Sequence, residues 1–415
     1  MEKSVEKLYQ EREKRVMDAI HLEIPDRVPI VTSIGYFPAT YTGIPFETAW
    51  YDYDKWLAAY KKTLTDFQPD MIFVQSFFPG KVLEYIDPKQ TRWPGHGVSP
   101  YHSHQAIELE NMKADEYDSY LNDVSDYTLR VLLPRTCGVM EPFSMFPPLS
   151  SLGYNYWGTQ AIAETLAIPE VAQAIETLQK AGREMAKWRS KIVEFNEEIK
   201  NMGFPPFSGG GGGAPFDAIS DFLRGMQGAM LDMYRQPDKL LEACDKILQN
   251  TLERGIPAAK SSGIPRVFMA LHRGSDGFMS LKQFETFYWP GLKKVIVAFI
   301  EEGLAPCIFF EGDWTARLEY LLELPKGKIL AHFDAVDIFR AKEVLKNHIC
   351  IRGNVPSSLL GTGTVNEVKD YCKKLIDVVG KDGGYVMSPR SSVDEVKPDN
   401  FKAMIDFTKE YGVYN

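Results

Sequence analysis

Beyond residue 265 the chain repeatedly ends an apolar run in polar residues able to do chemistry. The run 266–271 ends in His272 and Arg273, with Asp276 close behind. The run 305–310 ends in Glu311, Gly312, Asp313 and Trp314, and 328–331 ends in His332, Phe333 and Asp334. The run 348–351 is followed by Arg352, Gly353 and Asn354, and 384–387 by Ser388, Pro389, Arg390 and Ser391. A carboxylate oxygen and an imidazole nitrogen both suit zinc, and a catalytic zinc keeps one position open. Glu311 and His332 are therefore the first candidates for a metal pair, with His272 as a third ligand. The competing reading makes Glu311 an ion-pair partner of Arg273 or Arg352, and His332 a satisfied core histidine. The spacing is not a compact HExxH-type motif.

Other residues invite a chemical reading more weakly. The glycine run 209–213 could let a ligand approach the backbone, form a lid, or be a plain flexible loop. It lacks the Gly-Lys-Ser/Thr ending of a phosphate-binding loop. Asp217, Asp221 and Arg224 fall at i, i+4 and i+7 on one helical face, as an ion-pair ladder or as anchors for that loop. The Gly-Thr-Gly-Thr run 361–364 precedes a helix and reads as a cap or an anion site. His96, His102 and His104 resemble a metal cluster on paper but sit in a loop-like segment. Tyr36, Phe37 and the other aromatics of 36–60, with Tyr154, Tyr156 and Trp157, could stack on a planar substrate or simply fill a core. Cys307 and Cys350 lie within strands and read as packed thiols.

The elements that must position these groups alternate. The strand candidates 266–271, 305–310, 328–331, 348–351 and 384–387 are each followed by a helical stretch, at 281–302, 314–323, 336–346, 365–379 and 398–411. Such alternation means βαβ units and a parallel sheet. Earlier, residues 2–22 read as a mixed-charge helix, 28–32 and 71–75 as strands, 137–140 as a strand, and 168–202 as one or two helices. Eight or nine strands suit an α/β fold, a (β/α)8 TIM barrel with an N-terminal helical extension and insertions. Such a barrel takes about 250 residues, the surplus lying in insertions. The whole of 1–415 then forms one domain, with 88–160 as a lid insertion. In a parallel barrel the polar strand ends meet at one mouth, where barrel enzymes build their sites. A doubly wound sheet is disfavoured by the absence of a GxGxxG after the first strand.

Composition narrows the class. The 415 residues carry 47 basic and 56 acidic side chains, a net charge of −9, and are 44% hydrophobic and 25% charged. These values fit a globular protein, and the negative balance argues against a dedicated nucleic-acid binder. Five cysteines without a CxxC pair indicate neither a disulfide framework nor a zinc ribbon. No segment reads as a membrane span, and the charged start MEKSVEKLYQEREKRV lacks a signal-peptide core. A cytoplasmic protein is expected.

Several stretches resemble one family. KRVMDAIHLEIPDRVPI (14–30), GAPFDAISDFLRG (213–225), LDMYRQPDKLLEACDKI (231–247), FFEGDW (309–314), IRGNVPSSLLGTGTVNEV (351–368) and GGYVMSPRSSVDEVKPDNFKAM (383–404) are similar, in order, to the uroporphyrinogen decarboxylase superfamily. The likeness is weakest across 88–160. It implies a (β/α)8 barrel, often dimeric. Decarboxylases of the family carry an arginine-rich stretch after the first strand that holds the substrate's carboxylates. The matching stretch here, 33–41, has no arginine.

The resemblance leans instead toward the superfamily's zinc-dependent methyltransferases, which serve corrinoid proteins. Their His-x-Cys and later Cys ligands match Phe309, Glu311 and Ser391 here. Ether-cleaving members use Glu and His ligands, with a glutamate about twenty residues ahead of a histidine, the spacing of Glu311 and His332. A further glutamate of that group is replaced by Ile296, which leaves His272, then Asp334, as the third ligand. The implied activity is O-demethylation. Zn²⁺ would activate a methyl ether, an aromatic one by this resemblance, and the methyl group would pass to cobalamin on a corrinoid-binding partner protein. Glu311, His332, Asp334 and Asn354 would be catalytic, and Tyr36, Phe37, Asp217, His272, Arg273 and Trp314 would bind substrate. The alternative is decarboxylation of a less acidic substrate, for which Asp217, Arg224 and Arg273 would matter.

Overall fold

Short apolar runs, each too short to bury itself, assemble into a ring of eight parallel strands. The computed structural model describes residues 4–73 and 78–414. The strands are β1 (Val31–Ser33), β2 (Met71–Phe73), β3 (Gly210–Gly212), β4 (Arg266–Leu271), β5 (Ala305–Phe310), β6 (Leu330–Phe333), β7 (Cys350–Arg352) and β8 (Tyr385–Val386). β3 to β8 form one continuous sheet and β1 pairs with β2, all in parallel register. Two further bridges close the ring, Ile72 with Pro206 and Ile30 with Met387. At the second, the Val31 amide donates to the Met387 carbonyl at 3.0 Å and the Met387 amide to the Pro29 carbonyl at 2.8 Å. The fold is thus a (β/α)8 barrel. The 71–75 strand expectation holds through Phe73, and its last two residues lie outside the described ones.

Side chains alternate across each strand, which sorts them between the barrel interior and the surrounding helices. Val31, Met71, Ala305, Cys307, Leu330, Cys350 and Val386 face inward and pack with Val16, Ala19 and Ile20 of α1 (Val5–Ile20). α1, capped by Ser4 accepting from the Lys7 amide at 3.3 Å, is the helical extension and plugs the amino end of the barrel. Cys307 and Cys350 are buried thiols whose pKa burial raises. Outside the ring run α2 (Pro169–Asn201), α3 (Pro237–Ser262), α4 (Trp289–Glu301), α5 (Ile338–Leu345), α6 (Val365–Leu375) and α7 (Pro398–Tyr411). Among the described residues no helix is long and apolar enough to cross a membrane.

Two local expectations need correction. The glycine run is neither a lid nor a loop, because Gly210–Gly212 is β3 itself. Its glycines admit close packing by the outer helices. A Cβ on Gly210 would lie 2.8 Å from that of Ala259 on α3, and one on Gly212 would lie 2.8 Å from the Phe299 ring on α4. The residues around 137–140 are not a strand. Cys137 makes a single bridge to Pro88, and a 3-10 turn follows over Gly138–Met145. Pro142 within that turn has no amide to give a sheet ladder.

The 88–160 segment carries a small sheet of Thr91–Pro94, Gly97–Val98 and Gln105–Ala106, then short helices. Its contacts reach the carboxyl ends of the barrel strands. Ser103 Oγ donates to Asp394 at 2.7 Å, Glu108 accepts from the Met226 amide at 2.6 Å, and Glu110 pairs with Arg224 at 2.5 Å.

Candidate active site at the barrel mouth

The mouth is built from the turn after β3 outward. Pro215–Ala218 opens a helix and a wider π-turn follows over Ile219–Arg224, an irregularity frequent at functional sites. Asp217 is 4% exposed and accepts from the amides of His272 and Arg273, both at 3.0 Å, and from the Tyr288 hydroxyl at 2.7 Å. It therefore pins the end of β4. Burial pushes its pKa up to about 6 despite these donors, because desolvation of the carboxylate outweighs them.

One turn on, Asp221 meets the His272 ring at Nδ1, 2.5 Å away, and Arg273 Nη2 at 3.0 Å. Arg273 Nε donates to Ser220 Oγ at 3.0 Å. The bond to Asp221 is the main cause that raises the His272 pKa. With Nδ1 committed, Nε2 faces the mouth, 3.7 Å from Glu311 Oε2. Both side chains are open to solvent there, His272 at 38% and Glu311 at 55%.

The structure thus brings Glu311 together with His272 rather than with His332. His332 is 4% exposed on the barrel interior, and its Nε2 donates to the Pro389 carbonyl at 3.1 Å. The Phe309 ring stands against it, centroids 4.9 Å apart. Burial first, then the charge of Arg352, lowers its pKa well below the usual value, so the ring is neutral. Asp334 is tied to Arg390 Nε at 2.8 Å and to the Gly312 amide at 3.0 Å. Asn354 donates to the Val336 carbonyl at 3.2 Å and is buried.

Three residues expected to bind substrate are core. Phe37 is fully buried against Tyr41, Phe67 and Phe401. Tyr36 spends its hydroxyl on Trp50 Nε1 at 2.9 Å and His104 Nδ1 at 3.0 Å. Trp314 packs on Phe284, Tyr288 and Phe310 and donates to the Glu311 carbonyl at 3.0 Å. Aromatic density reads the same in a core as in a pocket. His104 belongs to that aromatic cluster and His96 stacks on Trp93, so these two loop histidines serve packing. Thr364 caps α6 through the Glu367 amide at 3.3 Å, the plainer of its two readings.

The donor set bears on zinc. Among the described residues no three His, Cys, Asp or Glu side chains converge as a metal set. His272 and Glu311 supply two of the three protein ligands that a catalytic zinc takes. Ligands about 2.0–2.2 Å from one zinc lie well over 3 Å from each other, and 3.7 Å is such a separation, too long for a hydrogen bond. Asp221 on the far ring nitrogen is the outer partner a metal-bound histidine ordinarily has. His332 does not fit, because its Nε2 is already engaged.

Residues 194–411 match the uroporphyrinogen decarboxylase (URO-D) family profile. The chain belongs to that family. No curated protein matches this URO-D member. Among solved structures it is similar to a methyltransferase from Methanosarcina mazei, at 15% identity and a TM-score of 0.60, over 96% of this chain and 98% of that one. At that identity the likeness shows the fold alone. Asp221 and Ser220, which set the histidine and the arginine, were not foreseen as site residues. The available signal was the four-residue step from Asp217 to Asp221 on one turn of helix.

Proposed function

We propose that this URO-D member is a methyltransferase that takes the methyl group of a methyl ether, an aromatic one, to the cob(I)alamin of a separate corrinoid protein. The observation that carries the reading is the 3.7 Å approach of His272 Nε2 to Glu311 Oε2 at the mouth, with Asp221 behind the ring. The reaction breaks the O–CH3 bond, forms a Co–CH3 bond on the partner, and leaves charge on the ether oxygen. That charge must be met. His272, whose proton Asp221 helps to hold, can present Nε2–H to the departing oxygen as a general acid. Zn²⁺ held by His272 and Glu311 would supply Lewis acidity at the same place, and it would have to displace that proton to bind. Asp217 fixes the backbone that aims His272 in either case. Phe278, under the Arg273 guanidinium at 5.3 Å, gives apolar surface beside the residue that follows His272.

Two of the groups that decarboxylation would need are already engaged. Asp217 is spent on backbone amides, and Arg224 is buried against Asp232 at 2.6 Å and Glu110 at 2.5 Å.

The test is methyl transfer to reduced corrinoid protein, with metal analysis, in Glu311→Ala, His272→Ala and His332→Asn. The first two are expected to lose transfer by about 10²–10⁴-fold and to lose bound zinc, while His332→Asn retains zinc. Unchanged transfer in both Glu311→Ala and His272→Ala would refute the reading.

A further inference from the structure

Among the described residues Arg352 is a buried cation that meets no acid. It ends β7, in register with His332 of β6, and is 1% exposed. Its Nε donates to Ser388 Oγ at 3.1 Å and its Nη2 to Ser33 Oγ at 3.0 Å. Its third nitrogen, Nη1, makes no hydrogen bond among the described residues. The guanidinium carbon lies 5.0 Å from the Phe207 ring centre. Arg15, Arg224, Arg266 and Arg317 are also buried, and each meets a carboxylate, while buried Arg12 meets none among the described residues and gives both terminal nitrogens to neutral acceptors, the Gly203 carbonyl and Gln68 Oε1. Among the described residues Arg352 meets none. A buried charge is costly unless it is paired, so this position is built for a charge that arrives from outside.

We propose that Arg352, with Ser33 and Ser388, is the receptor for a carboxylate of the substrate. The inference rests on the reading of the mouth as the substrate site. Ser33 and Arg352 are the last residues of β1 and β7, and Ser388 follows β8 by two, so their backbones lie at the carboxyl ends of the strands. The guanidinium, over the Phe207 ring, lies inside the barrel beneath that mouth. A guanidinium presents two parallel donors to a carboxylate. Each serine oxygen accepts from the guanidinium and keeps its own proton to donate to the anion. His332 is neutral and its Nε2–H is engaged, so it adds no competing charge. Phe309 lies at the same level by register with His332, and Glu311 stands two residues further along the chain, just past β5. Two residues of strand span about 7 Å, roughly an aromatic ring with its substituents. A carboxylate on Arg352 would place the ring along Phe309 and the reacting ether near Glu311 and His272.

Calorimetric titration of the full chain with benzoate and with benzamide, without metal or corrinoid protein, tests this. Benzoate binds and benzamide does not. Arg352→Met, which removes an unpaired charge, melts cooperatively at or above the wild-type temperature, and its benzoate affinity falls about 10–100-fold. Ser388→Ala keeps the wild-type melting temperature and weakens benzoate several-fold. No benzoate binding to wild type, equal binding to Arg352→Met, or a large drop in the melting temperature of Arg352→Met would each overturn the proposal. So would unaltered benzoate affinity in Ser388→Ala. Benzoate bound through Arg352 with no methyl transfer from any ether would remove the methyltransferase reading and leave this one standing. Transfer from methoxybenzene as fast as from 4-methoxybenzoate would do the reverse.

Discussion

At the amino ends of the strands, Arg266 of β4 places two nitrogens on the two oxygens of Glu13 at 2.5 and 2.9 Å and donates to the Phe207 and Pro206 carbonyls. Beside it Asp70 takes Arg15 at 2.6 Å, Arg27 at 2.8 Å and the Ile30 amide at 2.8 Å. At the carboxyl ends Arg352, as deeply buried, meets two hydroxyls and no carboxylate among the described residues, and Glu311 stands in solvent facing a histidine. The first end pairs these charges within itself, and the second, beside its own pairs of Arg273 with Asp221 and Arg390 with Asp334, leaves Arg352 and Glu311 for something else. In barrel enzymes that is the division between the stabilising face and the reactive face. Here it is visible in which ions have partners.

The comparison breaks most readily at Arg266. Arg266→Met leaves Glu13 without its partner and frees two carbonyls, which is expected to cost about 3–5 kcal/mol of folding stability. Chemical denaturation of both proteins measures it. A loss under about 1 kcal/mol would show that the amino-end ions are not the fold's anchor, and the contrast with Arg352 would lapse.

Asp217 sharpens it from the other side, because this mouth carboxylate is buried under donors and still has a raised pKa, about 6 against roughly 3.9 in the unfolded chain. Below about pH 4 both states are protonated and the group's stabilising contribution is complete. Between pH 4 and 6 only the folded state keeps the proton, so that contribution falls as pH rises through the folded value. The loss is about 2–3 kcal/mol. Asp217→Asn should abolish this dependence, seen as urea midpoints that diverge from wild type across pH 4–6. Parallel curves would mean that the amides and Tyr288 compensate for the burial.

How far these features were legible follows from the kind of signal each leaves. The strands 266–271 and 305–310 and the helix 398–411 were readable to the residue, because a buried parallel strand is a continuous apolar run bounded by polar residues. β3 was unreadable, because a strand of glycine has no side-chain pattern. What selects glycine there is the approach of Ala259 and Phe299, which are distant in sequence. Glu311 and His272 could be named as candidates from strand ends alone. Their pairing, and the exclusion of His332, depends on which way each residue faces. His332 is a strand residue turned inward, whereas His272 lies past the end of β4, where Asp217 and Asp221 direct it. Phe37 and Trp314 are buried in the core, and periodicity cannot separate a core aromatic from one that lines a pocket.

The smallest effect sits where the mouth is most exposed. Glu311→Gln removes one side of a 3.7 Å approach between side chains that are 38% and 55% open to water, where a paired charge contributes well under 1 kcal/mol. Its backbone amide, bonded to the Leu271 carbonyl at 3.2 Å, is untouched, so β5 keeps its register. Stability should change by less than about 0.5 kcal/mol while methyl transfer falls, as for Glu311→Ala. Denaturation and transfer measured on one preparation decide it. A large stability loss would place Glu311 with Glu13 and Asp70, as a carboxylate that holds the barrel together, and would leave the mouth without its reactive oxygen.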